Sequence, residues 1–345
     1  DTLTITSFAA ADTLGQEFIS LGVVTNNGDG SLSVDPGAYK GLDEGRSKIG
    51  TFSYTLDDGK GGTVAQTARV TINGRPDIYW HLRDGELGQT ATWQLDQTPQ
   101  VTGGGFIVVD GTSDQIPVSP ALWQLVASGD VDGDGFTDAV WRSDVAGIAV
   151  WQSNQERNLG GYFLNAQEPG PGWKIVGLSD FDGDSDLDLI WRNDGSANPA
   201  AAGLNAVWLF DNGQPSTAPG SGISLPTLAD TTWEMGGVGD FDGDGRQDDL
   251  MWWNKVTGDN AIWLVDHETG QSSLGNFIAG LNPAEGWRVE GIADISGDGI
   301  SDILWRCGID GSNAVWYMNG SLTAPSVGAG SFIASPPQLQ WDAVI

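Results

Sequence analysis

The sequence predicts an all-β chain: a five-bladed β-propeller closed by its own C-terminal strand, preceded by a small β-sandwich. Three observations predict it. Fifty-one glycines and a charged fraction of only 18% mark short strands joined by tight turns. All 16 tryptophans lie after residue 79 and recur in register. Acidic loops of nine residues recur in that same register.

The tryptophans define the repeat. Trp123, Trp173, Trp233 and Trp287 each precede an acidic loop. Trp141, Trp191, Trp252 and Trp305 each end an Asp-x-x-Trp unit. Trp151, Trp208, Trp263 and Trp316 each end an Ala-x-Trp unit. A further β-like patch follows in each unit, at Tyr162–Leu164, Ile223–Leu225, Phe277–Ile278 and Phe332–Ile333. Four short strands per unit of this length are the mark of a propeller blade.

A fifth unit is split. Asp77–Trp80, Ala91–Trp93 and Phe106–Val108 supply its later segments, and the missing first segment matches Gln340–Ile345 at the far end of the chain. Unpaired blade edges are costly, so a C-terminal strand donated to the first blade would close the ring. Trp253 alone stands outside the pattern. It is expected to be exposed, beside a ring of arginines (Arg142, Arg192, Arg306) that follow the second-strand tryptophans.

The acidic loops point to calcium. The first runs Asp130, Asp132, Asp134, Phe136, Asp138; the second Asp180, Asp182, Asp184, Asp186, Asp188. The third runs Asp240, Asp242, Asp244, Arg246, Asp248, with an extra Asp249; the fourth Asp294, Ser296, Asp298, Ile300, Asp302. Calcium takes six to eight oxygens. Side chains at loop positions 1, 3 and 5 converge, a turn aims the position 7 carbonyl, and position 9 closes the shell. About four structural Ca²⁺ ions are expected. An EF-hand is excluded, because position 12 is Trp141, Trp191, Met251 or Trp305 rather than Glu and the flanks read as strands. The first blade keeps only Asp77, so no fifth site is expected.

Charge bounds the partners. The chain carries −31, and residues 77–345 hold 37 acids against nine bases. Such a field repels nucleic acid and anionic lipid and attracts cations. No apolar run reaches the length of a membrane span, so no membrane insertion is expected. The single cysteine, Cys307, allows no internal disulfide, and metal is the alternative staple. Asp1–Thr6 already alternates like a strand, which suits a piece excised from a longer protein.

The repeat resembles the FG-GAP/VCBS repeats of integrin-like propellers over residues 76–345, carried by Gly-Trp, Asp-Phe-Asp-Gly-Asp and Asp-Leu-x-Trp-Arg-Asn. The resemblance implies a structural Ca²⁺ between the first two strands of a blade, on the loop residues named above. Integrin heads have seven blades, against the five counted here. Residues 1–75 resemble the VCBS or cadherin-like, Ig-type domain of bacterial surface adhesins, in Gly30–Gly37, Thr51–Thr63 and Ala68–Ile72. Thr51–Thr63 reads independently as a hairpin about an Asp-Gly turn. Asp57 and Asp58 serve either as that plain turn or as an interdomain calcium site, and Gly74-Arg75-Pro76 reads as a linker.

Catalysis is not expected. His81 and His267 occupy non-equivalent repeat positions, no nucleophile elbow, zinc-protease motif or P-loop is present, and the paired carboxylates are committed to metal. The expected role is a calcium-stabilised adhesion or assembly module outside the cell or on its surface, binding a glycan or a surface protein or associating with neighbouring domains. The alternatives are a structural spacer and a propeller enzyme acting on polysaccharide.

Overall fold

A computed structural model describes residues 4–27, 31–35, 47–57, 60–74, 77–82, 90–95, 101–106, 108–109, 122–134, 136–154, 157–164, 169–211, 213–216, 222–321, 325–333 and 341–344. The chain divides into two compact units, Asp1–Gly74 and Arg75–Ile345. Arg75 and Pro76 of the expected linker lie outside the described residues.

In the first unit, β1 (Thr4–Ala10), β4 (Ser47–Asp57) and β5 (Thr63–Asn73) form an antiparallel sheet in the order β1-β4-β5, and β2 (Val24–Asn26) pairs with β3 (Leu32–Val34). The register Asp57↔Thr63 is that of a hairpin, and Asp58 and Gly59 at its tip are outside the described residues. An α-helix, α1 (Thr13–Ser20), departs from the all-strand expectation. Asp12 starts it: its carboxylate accepts the Gly15 N–H at 2.6 Å and the Thr51 N–H at 3.0 Å, capping the helix and tying it to β4. The helix buries Phe18 against Phe52, 6.4 Å between ring centroids, in a core with Val23, Val24 and Ile72. A side chain at Gly50 would strike the Phe18 ring, so the glycine lets helix and strand meet.

The second unit repeats one antiparallel pattern. It opens with β6 (Asp77–Leu82), β7 (Thr90–Leu95), β8 (Val101–Phe106) and β9 (Val108–Val109). Next come β10 (Gln124–Gly129), β11 (Asp138–Ser143), β12 (Gly147–Asn154) and β13 (Arg157–Phe163). Then follow β14 (Trp173–Ser179), β15 (Asp188–Asn193) and β16 (Asn205–Trp208), a small hairpin of β17 (Phe210–Asp211) and β18 (Gln214–Pro215), and β19 (Gly222–Leu225). The last full units are β20 (Trp233–Gly239), β21 (Asp249–Asn254), β22 (Asn260–Asp266), β23 (Gln271–Ile278) and β24 (Trp287–Ala293), β25 (Asp302–Cys307), β26 (Asn313–Asn319), β27 (Ser326–Ile333). The chain ends with β28 (Trp341–Val344).

The sheets run β10-β11-β12-β13, with β9 added in parallel to the outer edge of β13, then β14-β15-β16-β19, β20-β21-β22-β23, β24-β25-β26-β27 and β28-β6-β7-β8. The C-terminal β28 therefore pairs with β6, Trp341 opposite Leu82. First strands neighbour one another: β10 lies by β14, β14 by β20, β20 by β24, β24 by β28, and β28 by β10. Four first strands carry a one-residue register shift at equivalent places, between Leu125/Ala127, Ile175/Gly177, Met235/Gly237 and Val289/Gly291. Such bulges add local twist.

The repeat buries its tryptophans. Trp141, Trp191, Trp252 and Trp305 are at most 1% exposed. Each meets the third-strand tryptophan of its own sheet, Trp151, Trp208, Trp263 and Trp316, at 4.8–5.0 Å and tilted 47–56°. Tilted and offset pairs suit the ring quadrupoles better than a flat sandwich.

The arginines are not a surface ring. Arg192 and Arg306 are buried and Arg142 is half-buried. Arg142 and Arg192 each reach the next sheet: the Arg142 guanidinium lies 5.5 Å from the Trp191 ring centroid, and that of Arg192 lies 4.8 Å from Trp252. Arg142 donates to the Trp173 carbonyl, and Arg192 to the Leu228 and Trp233 carbonyls, at 2.7–3.1 Å. A desolvated guanidinium is tolerated because stacking and carbonyl acceptors replace water.

Trp253, expected at the surface, is 7% exposed and sits in one apolar cluster with Met251, Ile262 and Trp305. It takes the arginine position of its repeat, where an indole covers the neighbouring apolar surface as a guanidinium does elsewhere. The exchange leaves a trace. Arg192 donates to Asn205 Oδ1 and Arg306 to Asn313 Oδ1, both at 3.0 Å, whereas the equivalent Asn260 Oδ1 is buried without a hydrogen-bond partner. Trp253→Ala is therefore expected to cost about 3–5 kcal/mol in urea unfolding, as deletion of a core ring does. Trp253→Arg should recover most of that loss, by supplying the donor Asn260 lacks. Equal losses in the two variants would contradict this role for position 253.

Candidate metal-binding loops

Each acidic loop joins the first strand of a sheet to the second, and its shape follows from short-range carboxylate turns. The position 5 carboxylate accepts the N–H two residues on in all four loops: Asp134 from Phe136, Asp184 from Asp186, Asp244 from Arg246 and Asp298 from Ile300, at 2.9–3.0 Å. Asp132, Asp182 and Asp242 accept from Asp134, Asp184 and Asp244 at 3.0–3.2 Å. These turns curl the backbone and gather side chains on the inside. Position 6 is left-handed at Gly245 and Gly299, and also at Ser185 (φ 78°), a conformation most side chains avoid. Gly135 lies outside the described residues.

Carboxylate oxygens converge as a result. Asp130, Asp132 and Asp134 bring oxygens within 4.8 Å of one another, as do Asp180, Asp182 and Asp184, and Asp240, Asp242 and Asp249. In the second loop Asp184 and Asp186 also meet Asp211. The sequence reading missed Asp211, because β17 is an insertion outside the repeat and carries no register signal.

The fourth loop differs. Ser296 stands in place of an aspartate; Asp294 accepts the N–H groups of Gly297, Asp298 and Gly299 at 2.5–3.0 Å, much as Asp240 in the third loop accepts those of Gly243 and Gly245 at 2.6 and 2.8 Å. Asp302 binds the Ser296 and Met318 N–H groups, at 2.8 and 2.9 Å.

The third loop corrects the position 9 assignment. The aspartate that opens the second strand is Asp138, Asp188, Asp249 and Asp302, so the third loop uses Asp249 where spacing from Asp240 suggested Asp248. This loop is one residue longer than the others. Counting back three residues from Trp252 finds Asp249, as it finds Asp188 from Trp191. Asp248 is buried to one side, its oxygen 3.7 Å from Nδ1 of His267.

The strand-opening aspartate ties loop to sheet. Asp188 accepts the Phe181 N–H with one oxygen and the Phe210 N–H with the other, both at 2.9 Å. Asp249 does the same with Phe241 and Val265, at 3.0 and 3.1 Å. Asp138 accepts the Ser153 N–H at 2.9 Å, but its Oδ2 is buried with no hydrogen-bond partner, and so is Asp180 Oδ1. Buried carboxylate oxygens without a donor fit a cation.

Burial sets the acidity. Desolvation first, and then the loop carboxylates, push Asp138, Asp188 and Asp249 up to about 8 and Asp302 up to about 7. Desolvation also raises Asp180, Asp182, Asp240 and Asp242. The strand-opening acids, raised to about 7–8, hold protons near neutral pH unless a cation takes their place.

Neighbouring loops touch. Ser301 N–H donates to the Asp240 carbonyl at 2.7 Å, Asp240 N–H to Ser301 Oγ at 3.0 Å, and Ser179 Oγ to the Gln247 carbonyl. The loops therefore share one end of the strands. Of the remaining sequence candidates, Asp57 lies at the end of β4, Asp58 is outside the described residues, and so are the side chains of Asp77 and His81.

Residues 1–73 match the family model of a bacterial Ig domain. No curated protein matches the chain. The chain is similar to a periplasmic gluconolactonase of Pseudomonas aeruginosa, at 13% identity over 84% of this chain and 81% of the other, with a TM-score of 0.35. It is also similar to a putative 6-phosphogluconolactonase from Bacteroides uniformis, at 12% identity over 91% and 92% of the two chains and a TM-score of 0.35. A third likeness, to the Dos1 propeller, has 10% identity over 77% of each chain and a TM-score of 0.32. No helix among the described residues is long and apolar enough to cross a membrane.

The raised acids make a signed prediction. Between their unfolded value of 3.8 and about 8, the folded chain holds protons that the unfolded chain has lost. Stability is then greatest below this window and falls as pH rises through it. In chelator, the melting temperature is expected to drop between pH 5 and pH 8. A flat or rising profile in chelator would contradict buried, uncompensated carboxylates.

Proposed function

We propose that the second unit is a five-bladed propeller closed by β28 and stapled by calcium, and that the chain acts outside the cytoplasm as an adhesion or assembly module. Three kinds of support converge. The first strands neighbour one another in a complete cycle, from β10 through β28 and back to β10. The acidic loops gather carboxylates. The first unit is similar to bacterial Ig domains.

The observation that carries the calcium reading is the buried oxygen of Asp138, which faces no donor while three loop carboxylates converge beside it. Asp130, Asp132, Asp134 and Asp138 would hold one ion, with the Phe136 carbonyl. Asp180, Asp182, Asp184 and Asp188 would hold a second, with Asp186 and Asp211 alongside. Asp240, Asp242, Asp244 and Asp249 would hold a third, with the Arg246 carbonyl. The fourth loop, with Asp294, Asp298, Asp302 and the Ile300 carbonyl, would be the weakest, because Ser296 replaces one carboxylate and its remaining acids do not form one of the convergent groups found among the described residues. The ions supply charge compensation and rigidity. Binding follows as the function, since these carboxylates are committed to the loops.

Extracellular modules hold Ca²⁺ with Kd of roughly 10⁻⁴–10⁻³ M. A site held at 100 times its Kd adds about 2.7 kcal/mol. The melting temperature should rise in calcium and fall in chelator. Asp134→Ala should lose part of the calcium gain, and Asp249→Asn should lose more of it than Asp248→Asn. A melting curve that ignores both calcium and chelator would remove the metal assignment. Turnover of a polysaccharide by pure protein, abolished by a single substitution, would replace binding with catalysis.

A further inference from the structure

The end of the strands opposite the acidic loops carries a different surface. Arg142, near the end of β11, contacts Trp173 at the start of β14, and Arg192 contacts Trp233 at the start of β20, so these strand ends also lie together. Here Phe163, Phe277 and Phe332 are 58%, 77% and 72% exposed. Each lies 6.1–6.2 Å from a half-buried first-strand tryptophan, Trp123, Trp233 and Trp287. The turns between second and third strands add Val145, Val256 and Ile309, all more than 60% exposed.

The placement is built into the repeat. Each phenylalanine pairs across strands with the alanine of the Ala-x-Trp unit, Phe163 with Ala149, Phe277 with Ala261 and Phe332 with Ala314. Phe106 takes the same register against Ala91, and Ser224 replaces the ring opposite Ala206. Folding does not require an exposed ring at this position, since Ser224 serves there.

We infer that these Trp–Phe platforms are the docking surface of the module and that their occupant is a neutral glycan chain. The inference rests on the proposed binding function and gives it a site and a ligand class. Charge selects the ligand. A second copy, an anionic lipid or an acidic polysaccharide meets a chain of −31. A cationic partner is drawn to the other end, where the four loops hold 17 acids. Ionised groups at the aromatic end are mostly engaged locally: Lys174 with Asp194 and Lys255 with Glu234, at 2.9 and 2.8 Å, and Asp230 and Asp310 with their own turns, while the exposed Asp144 beside Val145 adds a negative charge. What remains is aromatic surface in small repeated platforms. Sugar rings present apolar C–H faces to such rings, and a polymer engages several platforms at once.

Affinity electrophoresis of the full chain in calcium tests this, with hydroxyethyl cellulose, xyloglucan, laminarin and dextran as neutral probes and alginate as the acidic one. At least one neutral polymer should retard the parent, and alginate should not. The combined Phe163→Ser, Phe277→Ser and Phe332→Ser variant should lose at least about tenfold in affinity, with its melting temperature and calcium response unchanged. Each single variant should lose less. Retardation that survives the triple substitution would overturn the inference and leave a binding function standing. Retardation by alginate alone would overturn the ligand class. No retardation by any polymer, in a protein still stabilised by calcium, would overturn the inference and keep the calcium reading. A parent dimer that the triple substitution dissociates would assign the surface to a second copy and also overturn it.

Discussion

One buried carboxylate in each of four repeats ties the second unit together. The aspartate that opens each second strand is at most 1% exposed at Asp138, Asp188, Asp249 and Asp302. In three of them, one oxygen takes an N–H from the acidic loop and the other takes an N–H from the third-strand side: Phe210 for Asp188, Val265 for Asp249 and Met318 for Asp302. The side chain thus fastens three stretches of backbone at a single point. It also leaves a buried acid beside a cluster of others. A carboxylate in that setting must be protonated or be compensated by a cation. The loop composition follows from the same constraint, because the acids that worsen the repulsion without a cation become its ligands with one.

Packing between sheets is the second layer. The tryptophan three residues after each of these aspartates is buried, and in two repeats an arginine from the preceding sheet stacks on it. Arg142 and Arg192 then donate to carbonyls of the neighbouring sheet, which fixes its spacing as well as its contact. Polar loops gather at one strand end and aromatic rings at the other. The repeat therefore builds two unlike surfaces from one pattern of four strands.

Much of this was legible in the sequence because the repeat is strict where packing is strict. The Asp-x-x-Trp and Ala-x-Trp units located the second and third strands, and the split unit located β28 against β6. Legibility failed where the period slips. An extra residue in the third loop moved the strand-opening role to Asp249, which counting forward from Asp240 could not see. Trp253 broke the pattern and read as exposed, although a buried site accepts any group that covers its neighbour. The arginines read as surface charge because a stacked, carbonyl-bonded guanidinium looks like a free one in sequence. Asp211 and α1 depend on an inserted hairpin and on a single cap, and neither repeats.

The central claim is that cations compensate the buried carboxylates, and counting the ions tests it most directly. Native mass spectrometry of the full chain, titrated with calcium after chelation, reads the number bound. Among the described residues, three loops gather carboxylate trios within 4.8 Å and the fourth is not one of them. The account predicts up to four calcium ions, three taken up before the fourth, and one of the three lost in Asp188→Asn. A chain that retains no calcium at about 10⁻³ M, the weak end for extracellular modules, would contradict it.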